Sequence, residues 1–411
     1  MLKRLAATSV FVTISRMITT GTNLAVIFIV SRNLGTTNLG VYSICFALMY
    51  LTYTLTSFNL EVFLGKEMAI ARGNRQRMAD LAGTTIAGMA AGTLAALTVM
   101  GISRLIYTDV PTPLLILATL CGFLLGLDMN LNGLLLGQER AHVETGTNLG
   151  ASLVLLLPLA LWPGKTGLTG IFWLRAAGLA TAIAFKMAIL RPAFINPSLR
   201  SPGRIFREIR YYWFDHVAGY FLRQADILLL ALFVDLDELG VYFLALRIFL
   251  AAGIIGEVSA RALVPFFSRT YHGMETLSMG RLLRRMLAAS LGVGVLLGLS
   301  LALFGGWAIS LFKPAIDSGE IWLRWLSLAV PLRLGRFILS AFLSSSRYQK
   351  QLFMVHLVSA AILIVLTLTL GVTFLSAGVL TARLFSELFG FLFCLAVVFY
   401  RLPDSRKLRQ V

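Results

Sequence analysis

The sequence predicts an all-α polytopic membrane protein with about twelve transmembrane helices in two related six-helix lobes. Three observations predict it. Hydrophobic residues make up 58% of the 411-residue chain and charged residues only 13%, far less polar surface than a soluble fold of this length needs. Apolar runs of about twenty residues recur throughout, each long enough to cross a hydrocarbon core of about 30 Å. The tetrapeptide LGVY at 39–42 returns at 239–242, and its surroundings return with it.

The first-half runs cover 8–31, 39–64, 79–103, 113–137, 144–162 and 168–190. Those of the second half cover 213–234, 239–266, 286–312, 320–344, 352–373 and 377–400. No soluble domain fits between them. The longest polar stretch, Arg191 to Tyr212, has about 20 residues, against the ~50 a domain needs. The expected organisation is therefore a lobe at 1–190, a basic linker at 191–212 and a lobe at 213–411. In the linker, Arg204, Arg207 and Arg210 fall at helical spacing with Phe206, Ile209 and Trp213 elsewhere on the wheel, the pattern of an amphipathic helix lying on the inner leaflet. The opening MLKRLAATSVFV has a basic start but no small-residue cleavage site. It reads as a retained first helix, not a signal peptide.

The formal charge of +17 would suggest a nucleic-acid partner in a soluble protein. Here it reads as cytoplasmic loops obeying the positive-inside rule, and no nucleic acid is expected. With the N-terminus inside, the loops divide their Lys and Arg 22 to 4, and ten of the 36 basic residues remain within apolar runs. Both termini are thus expected on the cytoplasmic side. Cys45, Cys121 and Cys394 lie far apart inside apolar runs and read as small buried hydrophobes. His142, His216, His272 and His356 are scattered without metal-ligand spacing. No glycine-rich loop ends in Lys-Ser or Lys-Thr, so no ATPase, no cofactor and no enzyme are expected. GMAAG at 88–92 is a helix-packing motif.

The repeat extends beyond four residues. At an offset of 200, LGVYSICFALMYLT faces LGVYFLALRIFLAA, EVFLGKEMA faces ALVPFFSRT, and Gly92 faces Gly292. At an offset of 208, NGLLLGQERAHVETGTNLGASLVLLL faces SAFLSSSRYQKQLFMVHLVSAAILIV, a span, a polar inside turn and a span. Six spans per half put both halves in one orientation. Parallel repeats of this kind are related by an axis along the membrane normal, with a central site exposed alternately to each side.

The opening ISR…VIFIVSRNLGTTNLGVYSICFALMYL resembles that of Wzx-type lipid-linked oligosaccharide flippases of the MOP (multidrug/oligosaccharidyl-lipid/polysaccharide) superfamily. RQADILLLALFVDLDELGVYFLALRI is similar to that family's seventh and eighth helices. The resemblance covers most of the chain and implies a MOP/MATE-like fold of two lobes around a central cavity. Twelve spans suit its polysaccharide branch. The lipid II flippase branch usually carries two more helices, and the drug-exporter branch often uses a first-helix acid, which residues 8–31 lack.

An Arg at mid-bilayer costs about 2.5–3.5 kcal/mol on insertion scales. Intramembrane charges therefore mark either a wet cavity or a counter-ion. Arg16 shares one face of the first helix with Thr13, Thr20 and Asn23 and with no carboxylate. That stripe points to anion binding, with helix packing as the other reading, and the resemblance implies a functional first-helix Arg. Arg223 and Asp226, at i and i+3, are either a structural pair or one that switches on substrate or proton binding. Arg247, Glu257 and Arg261 fall within about 80° on an ideal wheel. Arg247 reads as cavity lining, and Arg261 as able to snorkel. Arg333 and Arg336 share a face with Ser340 beside Pro331, where a kinked helix would favour an anion site or gate. Arg324 sits between Trp322 and Trp325 in an interface belt. Arg383 and Glu387 read as an i, i+4 pair. Arg175 stays ambiguous, and Lys186 reads as snorkelling inward. Among the acids, Glu61, Asp128, Asp226 and Glu257 are the candidates for a coupling proton or cation, each with a structural alternative.

The expected function is that of a flippase in the bacterial cytoplasmic (inner) membrane. It would move a polyprenyl (undecaprenyl) pyrophosphate-linked oligosaccharide outward by alternating access, for O-antigen or other polysaccharide assembly. The substrate follows from the resemblance. The arginine excess suits it, because a guanidinium fork binds pyrophosphate oxygens in pairs. Arg16, Asn23, Arg223, Arg247, Arg333 and Arg336 are the candidate substrate contacts. Membrane lipids and polysaccharide polymerase or assembly proteins are the expected partners. The alternatives are a cation-coupled small-molecule exporter and a non-transporting scaffold for assembly enzymes.

Overall fold

The computed structural model describes residues 2–70, 75–162, 166–190, 202–271, 279–312, 317–345 and 348–401. Among them there are fourteen helices and no strand. The linker at 191–201, the loop charges at 71–74, 272–278 and 402–411, and the side chains of Arg204, Phe206, Arg207 and Arg261 lie outside the described residues.

The helices are α1 (Leu2–Asn33), α2 (Gly35–Ser57), α3 (Leu60–Ile70), α4 (Arg75–Ile106), α5 (Thr112–Gly137), α6 (Ala141–Leu161) and α7 (Leu168–Leu190). They continue with α8 (Pro202–Leu230), α9 (Leu236–Ala252), α10 (Ile254–Tyr271), α11 (Met279–Phe312), α12 (Asp317–Ser327), α13 (Val330–Ser345) and α14 (Gln349–Arg401). Nine of the described helices are long and apolar enough to cross a bilayer, or ten with the bent pair α12–α13 taken as one span. The protein is a multi-pass membrane protein. Leu105, Leu303, Phe304 and Trp307 are largely exposed, as lipid-facing side chains must be where the solvent is hydrocarbon.

Three expected spans are broken and two are fused. The second span breaks between α2 and α3, where Phe58 and Asn59 have φ of 50° and 52°, a left-handed conformation that opposes helix continuation in L-residues. The eighth is divided at Gly253, between α9 and α10, where the backbone keeps helical angles of φ −69° and ψ −16°. The tenth bends by 44° between α12 and α13. Pro331, in the first turn of α13, brings no N–H to a ladder that has none to receive there. The last two spans form α14, whose 53 residues would measure about 80 Å if straight. It is not straight. Leu375 has φ 50° and ψ −131°, and a Cβ on Gly378 would stand 2.1 Å from the Leu370 carbonyl oxygen. Residues eight apart touch only if the chain turns back, so α14 is a hairpin of two spans. The seventh expected span is α8, in which Asp215, Arg223 and Asp226 interrupt the apolar run.

The chain divides into two compact units, Met1–Tyr220 and Phe221–Val411. The division falls inside α8. Its first part belongs to unit 1: Ile209 is buried in that unit's core, Tyr212 O accepts from Asn59 Nδ2 at 3.1 Å and Tyr220 Oη donates to Ala47 O at 3.0 Å. Within α8, Ile209 is a core side chain and half-buried Trp213 packs on Phe58.

The two units show the same internal order. In unit 1 the short half of a broken helix, α3, packs on α5, and their Leu60, Leu64, Leu131 and Leu134 make its core. In unit 2 the equivalent half, α10, packs on α13, through Phe267, Leu339 and Phe342. Unit 1 achieves close approach with glycine. A Cβ on Gly122 of α5 would meet the Met49 carbonyl oxygen at 2.3 Å, so only glycine lets α5 lie this near α2. Gly92 also packs, against Thr56, whereas its repeat counterpart Gly292 faces open space.

Candidate functional site

Unit 1 places its intramembrane charges in three groups. Arg16, on α1, stands 3.7 Å from Glu61 at the start of α3, with side-chain exposures of 35% and 18%. The break at Phe58–Asn59 brings Glu61 there, which α1's own spacing could not reveal. Asn23, two turns along α1, has its Oδ1 held by both terminal nitrogens of Arg175 at 3.0 Å, and its Nδ2 donates to Tyr50 Oη at 3.4 Å. Arg175 also donates to Tyr42 Oη at 3.4 Å. Asn23 is thus an anchor for a neighbouring guanidinium. Asp128 forms the third group with Lys186, at 2.6 Å with both side chains sealed from solvent. Lys186 does not snorkel, because α7 lodges its ammonium against α5, where a carboxylate receives it.

A fourth group escaped the sequence reading. Glu144, on α6, is 2% exposed. Its Oε1 accepts from Ser15 Oγ at 3.1 Å, Ser15 Oγ accepts from Asn148 Nδ2 at 2.7 Å, and its Oε2 is buried without a hydrogen-bond partner. The signal was present in ETGTN at 144–148, a polar stripe opening an apolar run.

Unit 2 gathers a larger network from four helices. Glu387, on α14, accepts from Arg333 Nη1 at 2.6 Å and lies 3.0 Å from Arg336 Nη2 and 3.8 Å from Arg383 Nε. Asp226, on α8, accepts from Tyr242 Oη at 2.7 Å, from Arg383 Nη1 at 3.2 Å and from its own helix at Ile227 N, 3.1 Å away. Arg383 Nη1 also donates to Leu222 O at 2.6 Å. All five charged side chains are at least 90% buried. Three guanidiniums thus share two carboxylates. Part of the balance comes from α9: a Cβ on Gly253 would lie 2.9 Å from Arg333 Nε and 3.1 Å from Leu250 O, so that arginine sits at the carbonyl-rich end of a broken helix.

Pairing here departs from local spacing. Asp226 is held by Arg383 and Tyr242, while Arg223 is exposed. A sealed carboxylate is best served by a sealed cation, and Arg383 of α14 supplies one. Arg333 and Arg336 also engage Glu387, which keeps the i, i+4 contact with Arg383 that the spacing suggests, at 3.8 Å. Arg247, half-buried, donates to Gln224 Oε1 at 2.6 Å and lies over the Phe243 ring at 4.6 Å. Glu257 is half-buried in the first turn of α10. Arg324 pairs with Glu320 on an exposed face, as a belt residue would. Among the described residues no group of three His, Cys, Asp or Glu could hold a metal ion, and the three cysteines are free and buried.

Residues 5–271 match the family model described as "Polysaccharide biosynthesis protein". No curated protein matches the sequence. Among solved structures, the fold is similar to an inward-facing multidrug resistance MATE family transporter of the MOP superfamily, with a TM-score of 0.73 at 16% identity over 94% of this chain and 95% of that one. It is similar to the lipid II flippase MurJ in an inward closed conformation, with a TM-score of 0.71 at 12% identity over 96% of this chain and 87% of that one. A MOP superfamily transporter from Pyrococcus furiosus gives 0.68 at 15% identity over 98% and 96%. At such identities the likeness establishes the fold.

Proposed function

Because the chain belongs to the polysaccharide biosynthesis protein family, we propose that it is a flippase, carrying a pyrophosphate-linked oligosaccharide on a polyprenyl anchor across the bacterial cytoplasmic membrane by alternating access. The observation that carries this reading is Arg16. It is a guanidinium inside an apolar span that keeps 35% of its side chain exposed and lies a long 3.7 Å from Glu61. A cation held only for packing would be sealed, as Lys186 is. The partial exposure of Arg16 lets an incoming anion reach its guanidinium, and the planar fork of Arg suits pyrophosphate. Exposed Arg223 and half-buried Arg247 are the corresponding cargo-binding candidates of unit 2. Arg333 and Arg336 would have to leave Glu387 to take part, so their first role is to hold unit 2 together.

The multidrug transporters of similar fold suggest a cation-coupled exporter as the second reading, and the exposed basic groups disfavour cationic drugs. The test is flipping of a fluorescent polyprenyl-pyrophosphate oligosaccharide by purified protein in liposomes. Wild type should expose the sugar to an outside reductant, Arg16→Ala should not, and Arg16→Lys should retain part of the rate. Wild-type protein that moves a cationic dye but no lipid-linked sugar would establish the second reading. Protein that moves neither would leave a scaffold.

A further inference from the structure

The buried network of unit 2 carries more positive than negative charge. Arg333, Arg336 and Arg383 share Glu387 and Asp226, and protonating either acid would only widen the excess. Two of the arginines find further oxygen. Arg383 donates to Leu222 O at 2.6 Å, and Arg333 sits at the carbonyl end of α9. The third, Arg336, reaches Glu387 through Nη2 at 3.0 Å with its side chain 9% exposed, while its Nη1 is buried without a hydrogen-bond partner. A second donor is in the same state. Ser359 of α14 is fully sealed, and its Oγ has no partner. The two meet at one point: the Cβ that Gly390 lacks would lie 2.7 Å from Arg336 Nη1 and 3.1 Å from Ser359 Oγ. Three segments converge here, α13 and both arms of the α14 hairpin. Ser386 Oγ, one turn before Gly390, donates to Ser359 O at 3.0 Å and fixes the arms together. Val355, Phe391 and Cys394, flanking on the same arms, belong to the apolar core. An unsatisfied buried donor is costly, more so on a charged group, and so is an uncompensated buried charge. Both costs are removed by one small acceptor with a single negative charge.

We propose that unit 2 binds a chloride-sized monovalent anion between Arg336 Nη1, Ser359 Oγ and the bare Cα of Gly390, as a staple joining α13 to the two arms of α14. No side chain at residue 390 stands between the donors, and the space this frees is of single-atom size, too small for a phosphate. A water there would satisfy the donors and leave the charge. The site lies wholly within unit 2 and does not rest on the flippase reading.

The experiment is thermal unfolding of the purified protein in detergent, with sodium chloride exchanged for sodium gluconate at constant ionic strength. An ion that binds only the folded state raises the melting temperature with the logarithm of its concentration once the site fills. Chloride and bromide should both do so in wild type. Ser359→Ala removes one donor with little change of shape and should need at least tenfold more chloride for the same rise. Arg336→Met removes the surplus charge and should melt independently of chloride; should it fold poorly, Ser359→Ala still decides. Crystals soaked in bromide should show an anomalous peak between Arg336 and Ser359. A wild-type melt indifferent to chloride overturns the site, as does an anomalous map empty at that point, which would leave a water. A chloride response of equal size and midpoint in Ser359→Ala means an adventitious ion only. Inorganic pyrophosphate raising the melt of wild type in gluconate, and not of Ser359→Ala, would make these donors a cargo contact and overturn the staple.

Discussion

Replacing Glu387 by Gln keeps the side chain's shape and removes one charge. In unit 2 the carboxylate receives Arg333 at 2.6 Å and Arg336 at 3.0 Å, with Arg383 at 3.8 Å. The substitution leaves three sealed guanidiniums facing Asp226 alone and turns one of Glu387's two acceptor oxygens into a donor aimed at an arginine. Removing one partner of a buried ion pair costs about 3–5 kcal/mol, because the other charge stays desolvated. For a unit of this size about 2–4 °C of melting temperature follows each kcal/mol, so the fall should be on the order of 10 °C. The assay is thermal unfolding in detergent with size-exclusion chromatography to confirm a monodisperse starting state. Adding Arg336→Met returns the cluster to one excess positive charge, the wild-type balance, and should recover much of the loss. Glu387→Gln melting within a degree of wild type would refute the reasoning, since Glu387 would then not be what holds the arginines. Arg333 and Arg336 would again be free to serve cargo.

Lys186→Met and Asp128→Asn should each destabilise unit 1 by about 3–5 kcal/mol, while the double variant should be more stable than either, as a double-mutant cycle on melting temperature would show. Asn59→Ala should cost about 2 kcal/mol, combining a strained left-handed residue with the lost hydrogen bond to Tyr212 O. Asn59→Gly, which accepts φ of 52°, should cost about half that in the same melt. Gly122→Ala places a methyl 2.3 Å from the Met49 carbonyl oxygen and should lower stability by about 1–3 kcal/mol, seen as reduced yield of monodisperse protein.

The spans were legible because the bilayer demands their length and polarity, and the repeat because two halves solve the same packing problem. The breaks were legible only in part. Pro331 announced one. Phe58 and Asn59 announced nothing, since neither residue type signals a left-handed turn inside an apolar run as glycine would. Pairing was the least legible feature. Spacing along one helix proposes Arg223 for Asp226, but the chosen partners come from 16 and 157 residues away. Arg16 looked free of acids because its acid lies on another helix. Lys186 looked able to reach the surface because nothing on α7 shows that Asp128 faces it. Glu144 was overlooked for a different reason. It opens a span, where a carboxylate ordinarily meets water, and Ser15 of α1 packs over it.

The hairpin reversal at Leu375 bears on how the chain enters the bilayer during synthesis. The stretch LGVTFLSAGVL at 370–380 contains no charged residue, and Val372, Phe374 and Leu375 are exposed apolar side chains. Nothing in such a turn holds it at the membrane face where it emerges, and nothing resists its passage. The end charges of α14 are Lys350 and Arg401, which the positive-inside rule favours on one side, while Arg383 and Glu387 lie within its second half. The two apolar halves of α14 can therefore insert together, closed by the contact of Gly378 on Leu370, instead of as two successive threading events. A chain stopped at Leu375 would leave a lone span whose polar face, with Ser359 sealed against Ser386 in the intact hairpin, has no partner in lipid.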